Sequence, residues 1–400
     1  MTATAYEEKA RPEVFGLEEL IEPFDRDHFV EQYWNREFLH LTGAADRFEP
    51  LFPWARLNDV LASNRMRAPR FRLAHKGKIV EAREYNTVYG NEVRIATHAL
   101  YEKIRQGATL IVDHAEELSS PLGELTAMLE NWTRARVNAN LYASWREDSG
   151  FKLHWDPQDT FIIQVSGRKR WTVYRPTREC PVQGDTEAQA PLPTDDPVFD
   201  GHLESGSVLY VPRGWWHLVT PVGEPCMHLT ITFNLHKSTD LLSYAVDQFK
   251  ANVLGRRDLP VFESAAEQAA FTAHLFQEFA ASLEPNLMTK FFEYYDDSAV
   301  GLPRFHLPEA IDERFGPDRL DGVRLVSPRR LHLANNGNGT VSFRAQSKSW
   351  TLPEKAVRTI EALNSGEQRV AVETLFDGAD KTTVLATLGE LARRGLIEIV

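Results

Sequence analysis

The sequence contains few cysteines, no long apolar run and no excess of positive charge, and each shortage excludes a class of protein. Only Cys180 and Cys226 occur among its 400 residues, neither in a CxxC pair nor in a zinc-ribbon spacing, so we expect neither a disulfide framework nor a structural zinc site. No segment approaches the roughly 18 consecutive apolar residues of a membrane helix. The start, MTATAYEEKARPEVFG, also lacks the apolar stretch of a secretory signal. These absences predict a cytoplasmic protein with no membrane partner.

The balance of charges limits the partners. Asp and Glu number 57 against 45 Lys and Arg, which gives a net charge of −12. A protein that binds the phosphate backbone of nucleic acids needs a positive surface, so direct nucleic-acid binding is not expected. An acidic chain instead complements a basic protein. The hydrophobic share of 42% and the aromatic share of 10% are those of a folded chain, and its length predicts roughly two or three domains.

The middle of the chain, from residue 135 to residue 234, has the pattern of a β domain. Short strands alternate with turn signals such as SGRK and PVGEP, which is typical of a double-sheet jelly roll or a related barrel. On two of these strands apolar and polar residues alternate, so each strand has one polar face. These faces consist of Asn138, Asn140, Tyr142 and Ser144 on one strand and His228, Thr230, Thr232 and Asn234 on the other. Polar faces on otherwise apolar strands predict a polar site in the mouth or interior of the barrel.

The flanking regions predict smaller elements. Towards the N-terminus, Asp25 fits the N-cap of a helix that leads into a strand at residues 38–41. Residues 237–300 carry apolar side chains at three- and four-residue intervals, which predicts helices. After a proline-rich link, a hairpin with its turn at residues 335–339 is followed by helix, short helix, helix and strand, a winged-helix-like order. From Val341 to Val400 eight Lys and Arg are balanced by eight Asp and Glu, so this region lacks the charge of a DNA reader.

The segment FKLHWDPQDT holds the first candidate metal ligands. His154 and Asp156 stand two residues apart, so on an extended strand their imidazole and carboxylate project from the same side and can reach one metal ion. His217, at the end of the apolar strand SVLYVPRGWWH, supplies a second imidazole. Two histidines and one carboxylate leave three coordination positions open, the arrangement of non-haem Fe(II) oxygenases. Asp159 is an alternative carboxylate, but a strand would place it on the face opposite Asp156.

Open coordination positions suit a 2-oxo acid, and a dicarboxylate such as 2-oxoglutarate also needs a cation for its distal carboxylate. The strand GRKRWTVY follows an SG turn, which folds its basic residues back toward the metal-binding segment. Lys169 alternates in phase with Trp171 and Val173, so it is predicted to point inward. Arg168 and Arg170 are then predicted to point outward. Lys169 is therefore the predicted carboxylate anchor.

Three motifs, NANLYAS, HWDPQDTFIIQVSGRKRWTVY and GSVLYVPRGWWH, resemble in this order the JmjC-type, cupin-like protein hydroxylases, specifically the ribosomal oxygenase group. The segments DRDHFVEQYWNREFLHL and GATLIVD resemble further parts of the group, so the resemblance extends over nearly the whole chain. It implies a mainly β catalytic core, a double-stranded β-helix or jelly roll of the cupin type, with N-terminal α/β elements. It also implies a helical dimerisation region, and hence a homodimer, before a C-terminal winged-helix-like domain. The expected domain boundaries are 1–236 for the catalytic domain with its N-terminal elements, 237–300 for the helical dimerisation domain and 301–400 for the winged-helix-like domain.

The resemblance also assigns roles to residues. His154, Asp156 and His217 become the Fe(II) ligands and the catalytic centre. The residues implied for binding 2-oxoglutarate or for lining the pocket are Lys169, Asn140, Tyr142, Thr230 and His228. Cys226 and Met227 stand where a small polar residue is expected, so the pocket wall is expected to differ there.

The expected activity is hydroxylation of an arginine or histidine side chain of a ribosomal or other protein, with Fe(II), 2-oxoglutarate and dioxygen. Demethylation is an alternative with the same cosubstrates. Two further alternatives stay open, because function resides in the site and not in the fold. One is the same oxidation of a small-molecule natural-product intermediate, and the other is a non-enzymatic, metal-binding cupin scaffold.

Overall fold

The computed structural model describes residues 15–63, 66–185, 190–305, 307, 311, 322–364, 370–378 and 380–399. The residues tested for a secretory signal and the proline-rich link after Gly301 lie largely outside these ranges. Contacts divide the chain into two compact units, of which the first comprises Met1–Trp132 and Arg136–Asn234 and the second Thr133–Ala135 and Leu235–Val400. The first unit thus ends close to the predicted boundary at 236. A further division of the second unit at residue 300 stays a prediction.

The first unit is mainly β-structure. Its strands are β1 (Leu39–Leu41), β2 (Phe71–His75), β3 (Lys78–Ile79), β4 (Asn86–Tyr89), β5 (Glu92–Ile95), β6 (Thr109–Val112), β7 (Arg136–Ser144), β8 (Asp159–Ser166), β9 (Lys169–Tyr174), β10 (Phe199–Leu203), β11 (Val208–Val211), β12 (Trp216–Pro221) and β13 (Cys226–Asn234). Its helices are α1 (Leu17–Ile21), α2 (Arg26–Gln32), α3 (Trp54–Ser63), α4 (Thr97–Arg105) and α5 (Ser120–Thr133). The last residue of α5, Thr133, is counted with the second unit.

Two antiparallel sheets form the core of this unit. The larger has the order β1-β11-β8-β13-β7-β6-β2-β3 and the smaller the order β10-β9-β12. Apolar side chains from both sheets pack together, namely Ile162, Trp171, Val173, Leu203, Leu209 and Val211. Two antiparallel sheets packed around an apolar core make a double-sheet β fold. The predicted mainly β core is therefore confirmed.

Helix α2 anchors the N-terminal elements to the larger sheet. The Asp25 carboxylate accepts a hydrogen bond from the His28 amide at 2.8 Å, so the predicted N-cap is confirmed. Phe29 is fully buried, and its ring centroid lies 5.6 Å from that of Phe161 on β8 and 5.1 Å from that of Tyr210 on β11. These aromatic contacts fix the helix against two adjacent strands of the sheet.

The turn between β8 and β9 reverses the chain at Ser166 and Gly167. Gly167 has a φ of 66°, and a Cβ atom there would lie 2.2 Å from the Pro225 carbonyl oxygen, so the tight reversal requires glycine. The SG turn predicted from the sequence is therefore confirmed. It leads directly to Lys169, the first residue of β9.

The second unit begins with helices and continues with small sheets. Its helices are α6 (Ser238–Phe249), α7 (Ala265–Ser282), α8 (Leu287–Ser298), α9 (Val357–Leu363) and α10 (Lys381–Arg393). Its strands are β14 (Gly322–Leu325), β15 (Ala334–Asn335), β16 (Thr340–Ala345), β17 (Lys348–Pro353), β18 (Val370–Ala371) and β19 (Ile397–Ile399), in the sheets β18-β14-β19 and β15-β16-β17. The predicted hairpin turn at 335–339 agrees with these bounds. Within the described ranges, no helix has both the length and the apolar character that crossing a membrane requires.

Candidate functional site

A cavity of about 280 Å³ opens in the first unit between the two sheets. Its wall combines residues of β2, β6, β7, β8 and β13 from the larger sheet with residues of β9 and β12 from the smaller one. The predicted residues that line it are His154, Asp156, His217, Lys169, Tyr142, Thr230 and His228. Of the two predicted polar faces, Tyr142 and Ser144 on β7 and His228 and Thr230 on β13 therefore meet in one cavity.

His154, Asp156 and His217 form a compact cluster at this cavity. Their ligand atoms, one from each residue, all lie within 4.8 Å of one another. The His217 Nε2 and Asp156 Oδ2 atoms are 3.6 Å apart, and the two imidazole centroids are 4.4 Å apart. Two imidazoles and one carboxylate at such separations suit a divalent transition metal that keeps positions open for other ligands. The donor set therefore fits Fe(II).

Backbone pairing brings the two histidines together in a way that the sequence did not predict. The predicted extended strand through His154 is wrong, because β8 begins only at Asp159 and His154 lies in the preceding loop. His154 instead forms an isolated bridge with His217: it accepts from the His217 amide at 2.7 Å and donates to the His217 carbonyl oxygen at 3.2 Å. His217 in turn is the second residue of β12 and not the end of β11. Pro157, which lacks an amide proton, interrupts ladder pairing before β8.

Backbone carbonyls fix the orientation of both imidazole rings. The His154 Nδ1 atom contacts the Lys152 carbonyl oxygen at 2.7 Å, and the His217 Nδ1 atom contacts the Trp215 carbonyl oxygen at 3.1 Å. A carbonyl oxygen only accepts hydrogen bonds, so each Nδ1 carries the proton and each Nε2 keeps its lone pair for a metal. Burial, and then the neighbouring His154, lower the pKa of His217 to about 4. The ring is thus neutral near pH 7, as metal ligation requires.

Asp159 lies outside the cluster, as its position three residues after Asp156 predicted. Its side chain is fully buried, and its Oδ1 atom accepts a hydrogen bond from the Tyr210 hydroxyl at 2.8 Å. Burial and the charge of Asp159 raise the pKa of Tyr210 well above its ordinary value, so this hydroxyl stays a donor. Asp159 therefore links β8 to β11, and Asp156 is the carboxylate of the cluster.

A second group of potential metal ligands, His114, Glu116 and Glu117, lies outside the cavity. Its carboxylates are already engaged by the protein. Glu116 contacts the His114 Nδ1 atom at 3.0 Å and accepts a hydrogen bond from the Ala139 amide at 2.9 Å. Glu117 forms an ion pair with Arg70 at 2.8 Å. We therefore assign this group a structural role.

Lys169 places a buried cation at another part of the cavity wall. Its side chain is 1% exposed, whereas Arg168 and Arg170 are paired with surface carboxylates, as the alternation predicted. Its ammonium donates to the Nδ1 atom of His228 at 2.9 Å. Burial lowers the pKa of Lys169 to about 8, while burial and the Lys169 charge hold the pKa of His228 well below its ordinary value. A buried ammonium beside a neutral imidazole is a strong site for a carboxylate.

Tyr142 and Asn140 share the polar face of β7, and of the two only Tyr142 lines the cavity. Its ring stacks on that of His228 with centroids 4.9 Å apart. Burial, followed by the charge of Asp156, raises the pKa of Tyr142 to about 12, so its hydroxyl stays protonated. Asn140 accepts a hydrogen bond from the His114 amide at 3.2 Å, and it offsets a small part of the raised pKa of Tyr142. The pocket role predicted for Asn140 thus becomes an indirect one.

The sequence patterns did not predict several lining residues, which are Arg72, Thr109, Phe151 and Thr160. Ser144 also lines the cavity, as its place on the predicted polar face of β7 indicated. Arg72 and Thr109 had no such signal, because β2 and β6 join the larger sheet through pairings distant in sequence. Cys226 and Met227 are fully buried and do not line the cavity. These two side chains therefore form no part of the cavity wall.

The chain is similar to known proteins over part of its length. Residues 118–241 match the family model described as JmjC domain. The chain is 29% identical to ribosomal oxygenase 1 of Bos taurus over 257 residues, which covers 61% of this chain and 38% of the relative. It is 25% identical over 223 residues to the bifunctional lysine-specific demethylase and histidyl-hydroxylase NO66 of Drosophila persimilis, with 54% of this chain and 31% of the relative covered. The chain thus spans about a third of the length of these curated relatives.

Solved structures have the same fold. A crystal structure of the Escherichia coli ribosomal oxygenase YcfD matches with a TM-score of 0.59 at 18% identity, over 94% of this chain and 98% of that one. A structure of YcfD in complex with cobalt and 2-oxoglutarate matches with a TM-score of 0.57 at 18% identity and the same coverage. The double-sheet core with its cavity is that of a cupin-like JmjC domain. Over part of its length the chain is similar to JmjC proteins of the ribosomal oxygenase group.

We expect Asp156→Ala to weaken binding of Co(II), used as a spectroscopic probe, by at least about ten-fold, because loss of the carboxylate leaves two imidazoles. Titration followed by the visible absorption of bound Co(II) measures the affinity. Asp159→Asn is the matched control, since asparagine still accepts the Tyr210 hydrogen bond and lies outside the cluster. Equal losses in both variants, or unchanged affinity in Asp156→Ala, would contradict the assignment.

Proposed function

We propose that this chain is an Fe(II)- and 2-oxoglutarate-dependent oxygenase that hydroxylates an arginine or histidine side chain of a ribosomal or other protein. The observation that carries the proposal is the shared cavity of the His154–Asp156–His217 cluster and the buried Lys169. Relatives support it, since one is named a histidyl-hydroxylase and lysine-specific demethylase and another is solved with cobalt and 2-oxoglutarate. Bound Fe(II) supplies the activation of dioxygen, with electrons from the oxidative decarboxylation of 2-oxoglutarate to succinate.

The residues of the cavity have separate tasks in this proposal. His154, Asp156 and His217 hold the metal and leave its remaining positions open. Lys169 binds the distal carboxylate of 2-oxoglutarate, and its burial makes this charge pair stronger than one at a wet surface. His228 accepts a hydrogen bond from Lys169 and so orients the ammonium.

Aromatic side chains enclose the same cavity. The Trp171 ring stacks on that of His217 with centroids 5.8 Å apart, and the Phe151 centroid lies 5.9 Å from that of His154. These rings cover His217 and His154 on one side, whereas the Asp156 side chain is 43% exposed, so a bound substrate would be needed to complete the exclusion of water from an oxidising site. Tyr142, still protonated at neutral pH, offers a hydroxyl donor to oxygen atoms bound in the cavity.

The size of the cavity favours a protein side chain over a whole small molecule. Pockets for drug-sized ligands measure roughly 300–1,000 Å³, whereas this cavity of about 280 Å³ has to hold 2-oxoglutarate as well as the target. In this proposal one target side chain enters the remaining space, while the rest of the protein substrate stays outside. Demethylation uses the same cosubstrates and is an alternative outcome of the same assay.

For the second unit we propose a dimerisation surface on α7 and the loop before it. All eighteen residues of this helix are described, and none is buried. Phe276 is 66% exposed and Phe262 is 99% exposed, with Leu259 and Val261 at 67% each. An exposed apolar surface of this kind marks a contact with a partner, and a second copy of the chain brings the same surface. The proposed partner is therefore a second copy, which forms a homodimer.

The strands and helices after residue 322 support the winged-helix-like domain that the sequence predicts. Helices α9 and α10 pack with the sheet β18-β14-β19 around an apolar core that includes Val323, Ile360 and Leu388. Because its charges balance, we propose contact with protein and not with nucleic acid for this domain. Both cysteines are free thiols, which fits the proposed cytoplasmic location.

The direct test incubates the protein with Fe(II), 2-oxoglutarate and a total ribosomal-protein extract. We expect succinate to form and a protein of the extract to gain the mass of one oxygen atom at a histidine or arginine, read by peptide mass spectrometry. Loss of a methyl group instead would identify demethylation. Succinate without any modified protein would favour the small-molecule alternative, and no consumption of 2-oxoglutarate would leave the non-enzymatic scaffold.

The 2-oxoglutarate concentration at half-saturation is expected to rise as the pH increases above about 8, because the Lys169 ammonium, with its pKa of about 8, then loses its charge. Below that pH the lysine is protonated, and the half-saturating 2-oxoglutarate concentration does not change with pH. Lys169→Arg is expected to flatten the rise, since a guanidinium does not deprotonate in this range. Turnover assays at about pH 7, 8 and 9 measure the effect. A wild-type curve as flat as that of Lys169→Arg would contradict the anchor role.

Phe276→Asp is expected to convert the dimer into a monomer, because burying an unpaired carboxylate in an apolar contact is unfavourable. Light scattering after size exclusion measures the mass. Tyr101→Asp, at a ring on α4 that is 52% exposed, is the matched control and leaves the dimer intact. A monomeric wild-type protein, or a dimeric Phe276→Asp variant, would argue against this surface.

A further inference from the structure

An arginine–aspartate pair lies at the wall of the cavity and has no task in the proposed chemistry. Arg72 on β2 donates to Asp113, the residue after β6, through Nε at 3.0 Å and through Nη2 at 2.9 Å. The two side chains are 30% and 19% exposed. Arg72 is one of the residues that line the cavity.

The strand register places Arg72 on the face that carries the rest of the site. Directly paired residues across β2, β6, β7 and β13 form one row, which is Arg72, Ile111, Tyr142 and His228. Directly paired residues of antiparallel strands point to the same side of a sheet. Three strand spacings of roughly 4.8 Å separate Arg72 from His228, a distance of roughly 14 Å. Arg72 therefore lies toward the edge of the sheet, away from the anchor Lys169.

Electrostatics connects this pair with the metal cluster through Tyr142. The pKa of Tyr142 is raised by burial first, then by Asp156 and by Asp113, and it is lowered by Arg72. Tyr142 is thus within electrostatic reach of the cluster on one side and of the pair on the other. Burial lowers the pKa of Arg72, but Asp113 outweighs this effect and the pKa lies above its ordinary value. Arg72 is therefore a permanent cation at the cavity wall.

The Arg72 guanidinium has a donor left for a ligand. Asp113 occupies Nε and Nη2, and no described residue accepts a hydrogen bond from Nη1. A bound substrate would cover this edge and displace its water, and a buried N–H group without a partner is costly. Each Asp113 oxygen already accepts one hydrogen bond from Arg72, whereas Nη1 donates to no described residue, so Nη1 is the group of the pair that most needs a partner. A substrate that covers the pair therefore needs an oxygen acceptor at this point.

We propose that Arg72, oriented by Asp113, binds the substrate polypeptide through a main-chain carbonyl oxygen next to the oxidised side chain. The inference rests on the proposed protein-hydroxylase function and adds a substrate-binding residue to it. A main-chain carbonyl is an acceptor that every peptide segment brings. An arginine with two donors fixed by a carboxylate presents the remaining donor in a defined direction. Arg72 is the contact residue in this arrangement, and Asp113 is its positioning residue.

The test compares Arg72→Gln with Arg170→Gln in the hydroxylation of the ribosomal-protein extract. Arg170 forms an equivalent two-bond pair with Asp200, at 2.7 and 2.6 Å, but does not line the cavity. We expect Arg72→Gln to raise the extract concentration at half-saturation by about ten-fold or more, as for loss of a hydrogen bond from a charged group. The half-saturating 2-oxoglutarate concentration should change by less than about two-fold. Arg170→Gln leaves both values unchanged, and Arg72→Lys, which keeps the charge without the planar fork, gives an intermediate value.

Each outcome separates this inference from the proposed function. If the extract concentration at half-saturation is the same for Arg72→Gln and for the wild-type protein, the inference about Arg72 is wrong and the proposed function still stands. A parallel rise in the half-saturating 2-oxoglutarate concentration would show that the pair has a structural role. Loss of cooperative thermal unfolding in both Arg72 variants would show the same, and either result would overturn the inference. No modified protein with the wild-type chain overturns the proposed protein hydroxylation and, with it, this inference.

Discussion

The functional cavity depends on one short backbone contact, the isolated bridge between His154 and His217. Two main-chain hydrogen bonds hold a loop residue against the second residue of β12. Because the same two residues are the candidate metal ligands, the backbone contact and the side-chain cluster form together. The contacts of both Nδ1 atoms with carbonyl oxygens then orient the rings. The cluster is therefore preorganised by the fold, and a metal ion would find its nitrogen donors already in place.

Burial of charge is the second constraint on the site. An ammonium without an anionic partner in a protein interior is costly, and neutral His228 offsets only part of this cost at Lys169. The lowered pKa of Lys169, about 8, reflects the part that remains in the protein without ligand. A carboxylate bound at this position would remove that cost. The proposed affinity of the cavity for a dicarboxylate would thus derive in part from the unfavourable burial of the Lys169 charge in the protein without ligand.

The sequence predicted those parts of the site that depend on the alternation of side-chain direction along a strand. Period-two alternation along β9 predicted that Lys169 points inward, and the three-residue offset placed Asp159 away from the cluster. Long-range pairing controls the rest and leaves no local signal. The bridge of His154 with His217 joins residues far apart in the chain, and Arg72 reaches the cavity only because β2 joins the larger sheet through β6. The mainly β core was predictable from turns and alternation, whereas the order of its strands was not.

The surface pairs beside Lys169 constrain how β9 can be aligned. Arg168 pairs with Glu224 and Arg170 with Asp200, on either side of the inward-facing lysine. A slip of this strand by one residue would turn an arginine inward and the lysine outward, and it would break both surface pairs at the same time. The two exposed ion pairs therefore favour the observed register of β9 over a register shifted by one residue. The alignment that satisfies both of them is the one in which a lysine, and not a bulkier arginine, faces the cavity.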